Sequence, residues 1–314
     1  MSINTTEFLA RVKRAISVPS IQYRFTDDDF LKMADEEMES RLLPEITSVR
    51  QSYYVKHALI PVVEDVANYK IPYRAIGRTI VDLKLKSTDE TYLRDLPIVT
   101  INDKQAFTPM VGGDPRAFLI EGENIVLLPT PTSSSSGYYL EVYYELKPSR
   151  LVTVEECSAI TAIDTVTGIV TIDAANANFA SGDVMDLIDG KTSNSNKAED
   201  ITASNVSGTA VTFTAADLPS DLAVGDYVTS SDESCFVQAP QEFVQCLVQS
   251  VICRILHAQG DFEGLTAGYA ELDRRIASAK SLMAQRVKEE VPVVINRRGL
   301  LTQRPYYIRH RLVP

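Results

Sequence analysis

A tandem repeat occupies the middle of the chain. Residues 160–172 read ITAIDTVTGIVTI and residues 201–213 read ITASNVSGTAVTF, so two similar segments begin 41 positions apart. Each copy leads to a Gly-Asp pair and a short apolar run, at Gly182-Asp183 and again at Gly225-Asp226. Two copies are too few to stack as a solenoid. The repeat therefore predicts a small closed or sandwich-like β domain with pseudo-twofold symmetry.

Helical periodicity flanks this repeat on both sides. Apolar residues recur every three or four positions over 8–16 and 30–42, and again over 243–255 and 262–288. That spacing predicts amphipathic helices, and Thr26-Asp-Asp-Asp29 supplies a cap with negative charge at a helix start. Neither group of helices can bury its apolar stripe alone. We therefore expect the N- and C-terminal helices to pack together as one bundle.

The region between the first helices and the repeat has a period of two. Val81, Leu83 and Leu85 alternate with charged residues, which predicts a half-buried strand. Further strands are predicted at 97–101, 117–120, 125–128 and 138–144, with a hairpin turn at 121–124. The predicted fold class is α+β: a helical bundle formed by the N- and C-terminal helices, a β-sheet region, and an inserted small all-β domain.

These patterns divide the chain into three parts. The expected core comprises residues 1–150 and 240–290, and the insert with its two similar units comprises residues 151–239. Residues 291–314 form the third part, a basic, extended C-terminal arm.

Charge is unevenly distributed along these parts. The formal net charge is -11, and residues 151–240 hold 14 acidic residues against only two lysines. The arm instead holds five arginines and no acidic residue. An acidic body repels phosphate, so we expect no general coating of nucleic acid by this protein.

The arm is the predicted binding segment. It interleaves cations with large apolar groups and lacks helical caps, whereas a disordered tail is expected to contain fewer large apolar residues. Its composition favours an arm that becomes ordered on a partner, because Arg and Tyr often anchor interfaces. The alternative is a mobile or self-packed terminus. The predicted partner-binding residues are Arg297, Arg298, Arg304, Tyr306, Tyr307, Arg309 and Arg311.

The sequence predicts no catalytic residue, cofactor site or metal site. The three histidines form no metal-binding pair and adjoin no nucleophile pattern, and phosphate-loop, dinucleotide and hydrolase-elbow motifs are absent. Acids of the insert lack the order of a calcium loop, so we interpret them as a solvated acidic face, with weak divalent-ion binding as the alternative. These acids are Asp164, Asp173, Asp183, Asp186 and Asp189.

The cysteines and apolar runs indicate a chain made in the cytosol. No run approaches the roughly 18 apolar residues that span a bilayer, and the N-terminus lacks the pattern of a secretory signal. Cys246 and Cys253 fit core packing on a helix. Cys157 and Cys235 bracket the insert and could approach each other, and we interpret both as structural.

Several stretches together resemble the head-to-tail adaptor (connector or neck) proteins of tailed bacteriophages. The most specific stretch is YKIPYRAIG at residues 69–77. The similarity covers about 1–150 and 240–290. The other stretches are Ser17-Val-Pro19, the acidic helix start at 26–31, Ala34-Asp-Glu-Glu37, Leu43-Pro44, Tyr53-Tyr54, Gln241-Glu-Phe243 and Gly260-Asp261.

This resemblance implies a non-enzymatic structural protein of the virion. Such proteins join the portal of the capsid to the tail as an oligomeric ring, commonly of twelve copies. The implied partners are the portal protein, tail or second neck-ring proteins, and other copies of the chain, while genomic DNA passes through without specific binding. The implied location is the head-tail junction, after assembly in the host cytoplasm.

Two alternatives remain open from the sequence. The first is another neck or tail component, such as a tail-tube or fibre-attachment protein. The second is a carbohydrate-binding protein or a hydrolase that uses the β insert, although no carboxylate pair can be assigned to such a reaction.

Overall fold

A computed structural model describes residues 3–16, 25–89, 91–102, 104, 113–191 and 195–284. The predicted α+β class is confirmed, because the structure is a mixture of helix and sheet. The described residues contain five α-helices, and a π-helical segment, Met38–Leu42, joins the second to the third. The helices are α1 (Thr5–Ile16), α2 (Asp27–Glu37), α3 (Leu43–Val49), α4 (Gln241–Gln259) and α5 (Phe262–Met283).

All five helices contribute to one apolar core. Phe8 of α1, Phe30 of α2 and Phe243 of α4 are fully buried there, together with Leu272 of α5. Thr26 and Asp29 form a reciprocal capping box: the Asp29 amide donates to Thr26 Oγ1 at 3.2 Å and the Thr26 amide donates to Asp29 Oδ2 at 2.8 Å. The continuation of α5 to residue 288, predicted from the sequence, lies outside the described residues.

Two antiparallel sheets form a second core. One has the strand order β1-β7-β3-β4 and the other β2-β6-β5. Leu83, Leu85 and Leu140 of the first sheet pack with Ile125 and Leu127 of the second. The strands are β1 (Val55–Pro61), β2 (Asn68–Lys70), β3 (Asp82–Lys86), β4 (Tyr92–Asp95), β5 (Ala117–Glu121), β6 (Asn124–Leu128) and β7 (Tyr139–Glu145).

The hairpin predicted at 121–124 is confirmed, but the strand predicted at 97–101 is wrong. Gly122 adopts a φ of 63° in the turn between β5 and β6, a conformation that glycine reaches without strain. At 97–101 only Ile98 forms an isolated bridge, to Phe118, and the chain turns at Ile101. Ile98 and Ile101 are 63% and 67% exposed, so burial does not stabilise a strand there.

A similar correction applies to Val81. The alternating pattern placed it on the buried face with Leu83 and Leu85, yet Val81 is exposed. The strand begins one residue later, at Asp82, so Val81 lies before the pleated segment that faces the core.

The insert contains a seven-stranded sheet with the order β12-β11-β15-β9-β10-β14-β13. The outer strands, β12 and β13, are separated in the chain only by Ala203 and Ser204, so the two edges of the sheet meet at this point. We call this curved sheet the barrel. A short parallel pair, β8 (Arg150–Leu151) and β16 (Glu233–Ser234), joins the beginning and the end of the insert. The barrel strands are β9 (Ser158–Asp164), β10 (Ile169–Ile172), β11 (Val184–Ile188), β12 (Asn196–Thr202), β13 (Asn205–Ser207), β14 (Ala210–Thr212) and β15 (Tyr227–Ser230).

Corresponding residues of the two repeats pair with each other across the barrel. Val170 in β10 pairs with Val211 in β14, and these residues hold the same position in the two copies. Asp186 in β11 pairs with Thr229 in β15, and they also correspond when the Gly-Asp pairs are aligned. An antiparallel ladder that pairs equivalent residues has a local twofold axis between its strands. A pseudo-twofold axis therefore passes through the Val170–Val211 pair and, on the other side of the barrel, through the Asp186–Thr229 pair.

The two Gly-Asp turns have the same geometry. Gly182 and Gly225 both have a φ of 93°. Asp183 accepts a hydrogen bond from the Ala180 amide at 2.7 Å, and Asp226 accepts one from the Ala223 amide at 2.8 Å. The sequence repeat thus encodes the same turn twice, with the aspartate capping it in each copy.

Candidate functional site

The residues predicted to bind a partner lie outside the described part of the chain. These are Arg297, Arg298, Arg304, Tyr306, Tyr307, Arg309 and Arg311. Ser17-Val-Pro19 also lies outside it. The YKIPYRAIG stretch, in contrast, is fully described, and it forms the junction between the sheets and the barrel.

The stretch begins on β2 and then turns toward the insert. The Tyr69 hydroxyl accepts a hydrogen bond from the Val63 amide at 2.9 Å, which fixes the start of the stretch. The Tyr73 hydroxyl donates to Asp200 Oδ1 in β12 at 2.7 Å. The backbone carbonyl of Arg74 accepts from the Lys147 amide at 2.9 Å. These contacts direct the Arg74 side chain into the barrel.

Arg74 and Asp186 form a buried ion pair. Arg74 Nη1 lies 2.6 Å from Asp186 Oδ2, and the residues are 4% and 0% exposed. Arg74 Nη2 donates to Ser149 Oγ at 2.7 Å, and the amides of Asp200 and Asp232 donate to the Asp186 carboxylate at 2.9 and 3.2 Å. Removing two charges from water is costly, and these hydrogen bonds offset part of that cost. Among the described residues, Arg74 Nε has no hydrogen-bond partner and lies 3.5 Å from Asp232 Oδ1. Burial raises the pKa of Asp186, and the Arg74 charge opposes this rise.

This ion pair lies at one end of the pseudo-twofold axis. The first repeat contributes Asp186 there, whereas the second contributes Thr229, whose hydroxyl donates to the Glu233 carbonyl at 2.8 Å. The two copies have therefore diverged at the position that meets the rest of the molecule.

A second polar network strengthens the junction. Gln238 Nε2 donates to Asn196 Oδ1 at 2.6 Å, and its Oε1 accepts from the Ser149 amide at 2.8 Å. The Tyr54 hydroxyl donates to the Gln238 carbonyl at 3.0 Å, and Lys56 Nζ donates to the Asn196 carbonyl at 2.6 Å. Asn196 is fully buried. Buried groups that are hydrogen-bonded in this way favour a single arrangement of the segments that they join. The network therefore fixes the barrel against the neighbouring sheet and helices.

The acidic face predicted for the insert needs a correction. Asp164, Asp173 and Asp183 are exposed, as predicted, but Asp186 and Asp189 are buried. Asp186 is buried because Arg74 neutralises it, and Asp189 because its carboxylate accepts the Lys191 amide at 2.9 Å in a turn.

No group of three or more metal-ligating side chains occurs among the described residues. Within the same part of the chain, no helix has the length and apolar character needed to cross a membrane.

The four cysteines are free thiols, and all are buried. Cys157 and Cys235 lie in one buried apolar cluster. The neighbouring Cys235 thiol and burial raise the pKa of Cys157. They do approach each other, as the sequence allowed. Cys246 and Cys253 lie in the helical core.

Sequence reasoning identified the YKIPYRAIG stretch but missed the partner of its arginine. A signal was present: residues 151–240 hold 14 acids and only two lysines, so those lysines cannot neutralise every buried acid there, and a cation from elsewhere in the chain is needed. The residue that supplies this cation cannot be read from spacing, because Arg74 and Asp186 are 112 positions apart.

A family model described as SU10 adaptor protein matches residues 3–172, more than half of the chain. The match includes the YKIPYRAIG stretch, both sheets and the first repeat, so it extends further into the insert than the resemblance seen in the sequence, and it ends before α4. No curated protein matches the chain. The chain belongs to the SU10 adaptor protein family, and this family indicates a phage head-to-tail adaptor.

Proposed function

We propose that this chain joins the portal of a phage capsid to the tail as one subunit of an oligomeric ring, with twelve copies per ring. Membership of the adaptor family supports the proposal, and the buried Arg74–Asp186 pair is the observation that carries it. A ring between head and tail must keep its shape under load. A barrel fixed to the rest of the chain by a buried ion pair with several further hydrogen bonds meets that requirement.

The proposed partners are the portal protein, tail or second neck-ring proteins, and neighbouring copies of the chain. In a cyclic ring each contact is heterologous, so two different faces of the subunit must be complementary. We assign one of these contact regions to residues 1–150 with 240–290 and the other to the insert, 151–239. The protein acts at the head-tail junction of the virion, after assembly in the host cytoplasm.

The charge of the insert supports passage of DNA without binding. Several acids project from the barrel and have no ion-pair partner among the described residues: Glu155, Asp164, Asp173, Asp183 and Asp217. Like charges repel, so a DNA molecule that passes such a surface is not retained.

The proposal assigns no reaction to the chain. A glycoside hydrolase needs two carboxyl groups on either side of a substrate cleft. The buried carboxylates Asp186 and Asp226 are instead paired with Arg74 and Lys197, at 2.6 and 2.9 Å. Those acids stabilise the fold of the insert, and the exposed Asp164, Asp173 and Asp183 accept hydrogen bonds from backbone amides of its turns.

Deleting residues 291–314 tests the proposed role of the arm. The truncated chain should keep its circular dichroism spectrum, because the described cores lie outside the arm, but it should no longer co-sediment with portal rings. A matched variant replaces the five arginines of the arm by Gln and keeps its length. We expect this variant to lose most of the binding as well, since Arg commonly anchors interfaces. Undiminished co-sedimentation of both variants would refute the role of the arm.

A further inference from the structure

Two adjoining pockets lie where the helices, the sheets and the barrel meet. One has a volume of about 330 Å³, and its acidic lining residues include Asp35, Glu36, Glu39 and Asp232. The other has a volume of about 180 Å³ and is lined by Tyr53, Tyr54 and Leu146 among others. Lys147 and Pro148 line both pockets, so together they form one groove, here called the junction groove.

The acidic pocket contains a carboxyl group without a cation. Asp35 accepts a hydrogen bond from the Leu151 amide at 2.9 Å, and it has no ion pair among the described residues. Burial raises the pKa of Asp35 to about 7, although Arg150 and Lys147 oppose this rise.

Every cation beside Asp35 already has an acidic partner. Lys32 on the same helix pairs with Asp28 at 2.6 Å, Lys147 pairs with Glu39 at 3.2 Å, and Arg150 pairs with Glu233. The other charged groups of the pocket, Glu36 and Asp232, are acids that pair with Arg254 and Arg74. A further cation that enters the pocket would therefore meet an uncompensated carboxylate.

The second pocket suits a large apolar side chain. The rings of Tyr53 and Tyr54 meet edge to face, with 4.8 Å between their centroids, and Leu146 and Pro148 complete an apolar wall. The rest of the lining is polar: Lys56, Lys147, Ser195, Asn196 and Gln238. Aromatic rings favour such edge contacts with a further ring. The groove thus offers an acidic half next to an aromatic half.

The arm of the chain has the complementary composition. Residues 304–309 read RPYYIR, with an arginine at each end of an aromatic and aliphatic centre. The helix that precedes the arm ends near the groove: Lys280, in the last turn of α5, pairs with Glu45 of α3. Glu39 precedes Glu45 by six residues of helix, a distance of about 9 Å along the axis.

The length of the chain allows the arm to reach its own groove. Residues 285–303 can span up to about 60 Å when extended. A site that needs only a small part of this reach is filled at a high effective concentration, which favours the arm of the same chain over that of another copy.

We propose that, in the free subunit, the junction groove holds the arm of the same chain, with an arginine of residues 304–309 in the acidic pocket and Tyr306 or Tyr307 in the aromatic pocket. A partner that takes the arm must then displace it from the groove. This inference goes beyond the adaptor role and does not require a ring, since it concerns the isolated chain.

A disulfide between the groove and the arm tests the proposal in the full-length chain. Because the natural cysteines are buried, introduced thiols react with little background. We would oxidise Lys32→Cys/Pro305→Cys, which keeps every acid of the pocket and both tyrosines of the arm, and compare it with Val166→Cys/Pro305→Cys, since Val166 is 86% exposed on the barrel. Non-reducing electrophoresis should show a compact monomer for the first pair, formed at least about tenfold faster than in the control pair. Cross-linked multimers would instead identify the arm of another copy as the occupant, and equal rates in the two pairs would exclude docking. Both results overturn the proposal.

A third variant tests the acidic pocket itself. Adding Asp35→Asn to the groove pair keeps an acceptor for the Leu151 amide and removes the negative charge. At pH 8 we expect the disulfide to form about fivefold more slowly, the loss that a weak ion pair of about 1 kcal/mol implies. An unchanged rate would overturn the assignment of an arginine to this pocket. None of these readouts involves the portal, so they stand apart from the test of the adaptor role.

Discussion

Arg74 joins the two halves of the molecule through one side chain. Arg74→Met keeps the length of the side chain but leaves Asp186 buried without its cation. Breaking a buried pair in this way costs about 3–5 kcal/mol. We therefore expect the free energy of unfolding, measured by urea titration, to fall by that amount.

Arg78 provides a matched control on the same segment. Its Nη1 donates only to the Ile71 carbonyl, at 3.4 Å, and it is partly exposed. Arg78→Met should cost about 1 kcal/mol or less. The double variant Arg74→Met/Asp186→Asn should recover part of the loss, because the orphaned charge is gone. Equal effects of Arg74→Met and Arg78→Met would contradict the junction described here.

The same substitution has a predictable pH dependence. Burial already places the pKa of Asp186 above its unfolded value, and Arg74 limits this rise, so Arg74→Met should raise the pKa further. A carboxyl group with a raised pKa contributes stability at low pH, and this contribution is lost as the pH rises through its folded pKa. Urea titrations at pH 5 and pH 8 should therefore show a larger difference between wild type and variant at pH 8. A larger difference at pH 5 would show that Asp186 is not the group affected.

At the scale of elements, the two repeats share a turn but differ in burial. Asp226 is fully buried and lies 2.9 Å from Lys197 Nζ, whereas its counterpart Asp183 is exposed. Asp226→Asn keeps the acceptor for the turn but removes the charge opposite a largely buried lysine. We expect thermal or urea unfolding to show a loss of about 2 kcal/mol for Asp226→Asn and less than about 0.5 kcal/mol for Asp183→Asn. If both variants lost the same free energy of unfolding, the pairing of Asp226 with Lys197 would contribute nothing beyond the turn itself.

Periodicity predicted the helices and the hairpin because both are encoded locally. The capping box at Thr26 and the turn at Gly122 each depend on residues a few positions apart. The strand predicted at 97–101 failed for the opposite reason: a short apolar run becomes a strand only where a neighbour covers it, and Ile98 and Ile101 remain exposed. The repeat was visible in the sequence, but the pairing of Val170 with Val211 depends on how the two copies meet.

At the scale of the whole molecule, the sequence indicated the family of the protein but not the contacts at the junction between the barrel and the rest of the chain. The resemblance depended on several short stretches, and the family match over residues 3–172 confirms it. The contacts that join the barrel to the rest of the chain could not be predicted. They involve Arg74, Asp186 and Gln238, which are far apart in the sequence. The arm remains a prediction from composition. Its proposed groove could not be predicted from the sequence, because Asp35 and Tyr54 line two different pockets that share Pro148.

The adaptor role is tested most directly by imaging. The purified chain would be mixed with portal rings encoded by the same phage, and the complexes examined by negative-stain electron microscopy with counting of the added symmetric density. We predict a ring of added density on one end of the portal, with the symmetry of twelve copies. An intact portal without added density, in the presence of the folded chain, would contradict the account and indicate a later component of the neck or tail.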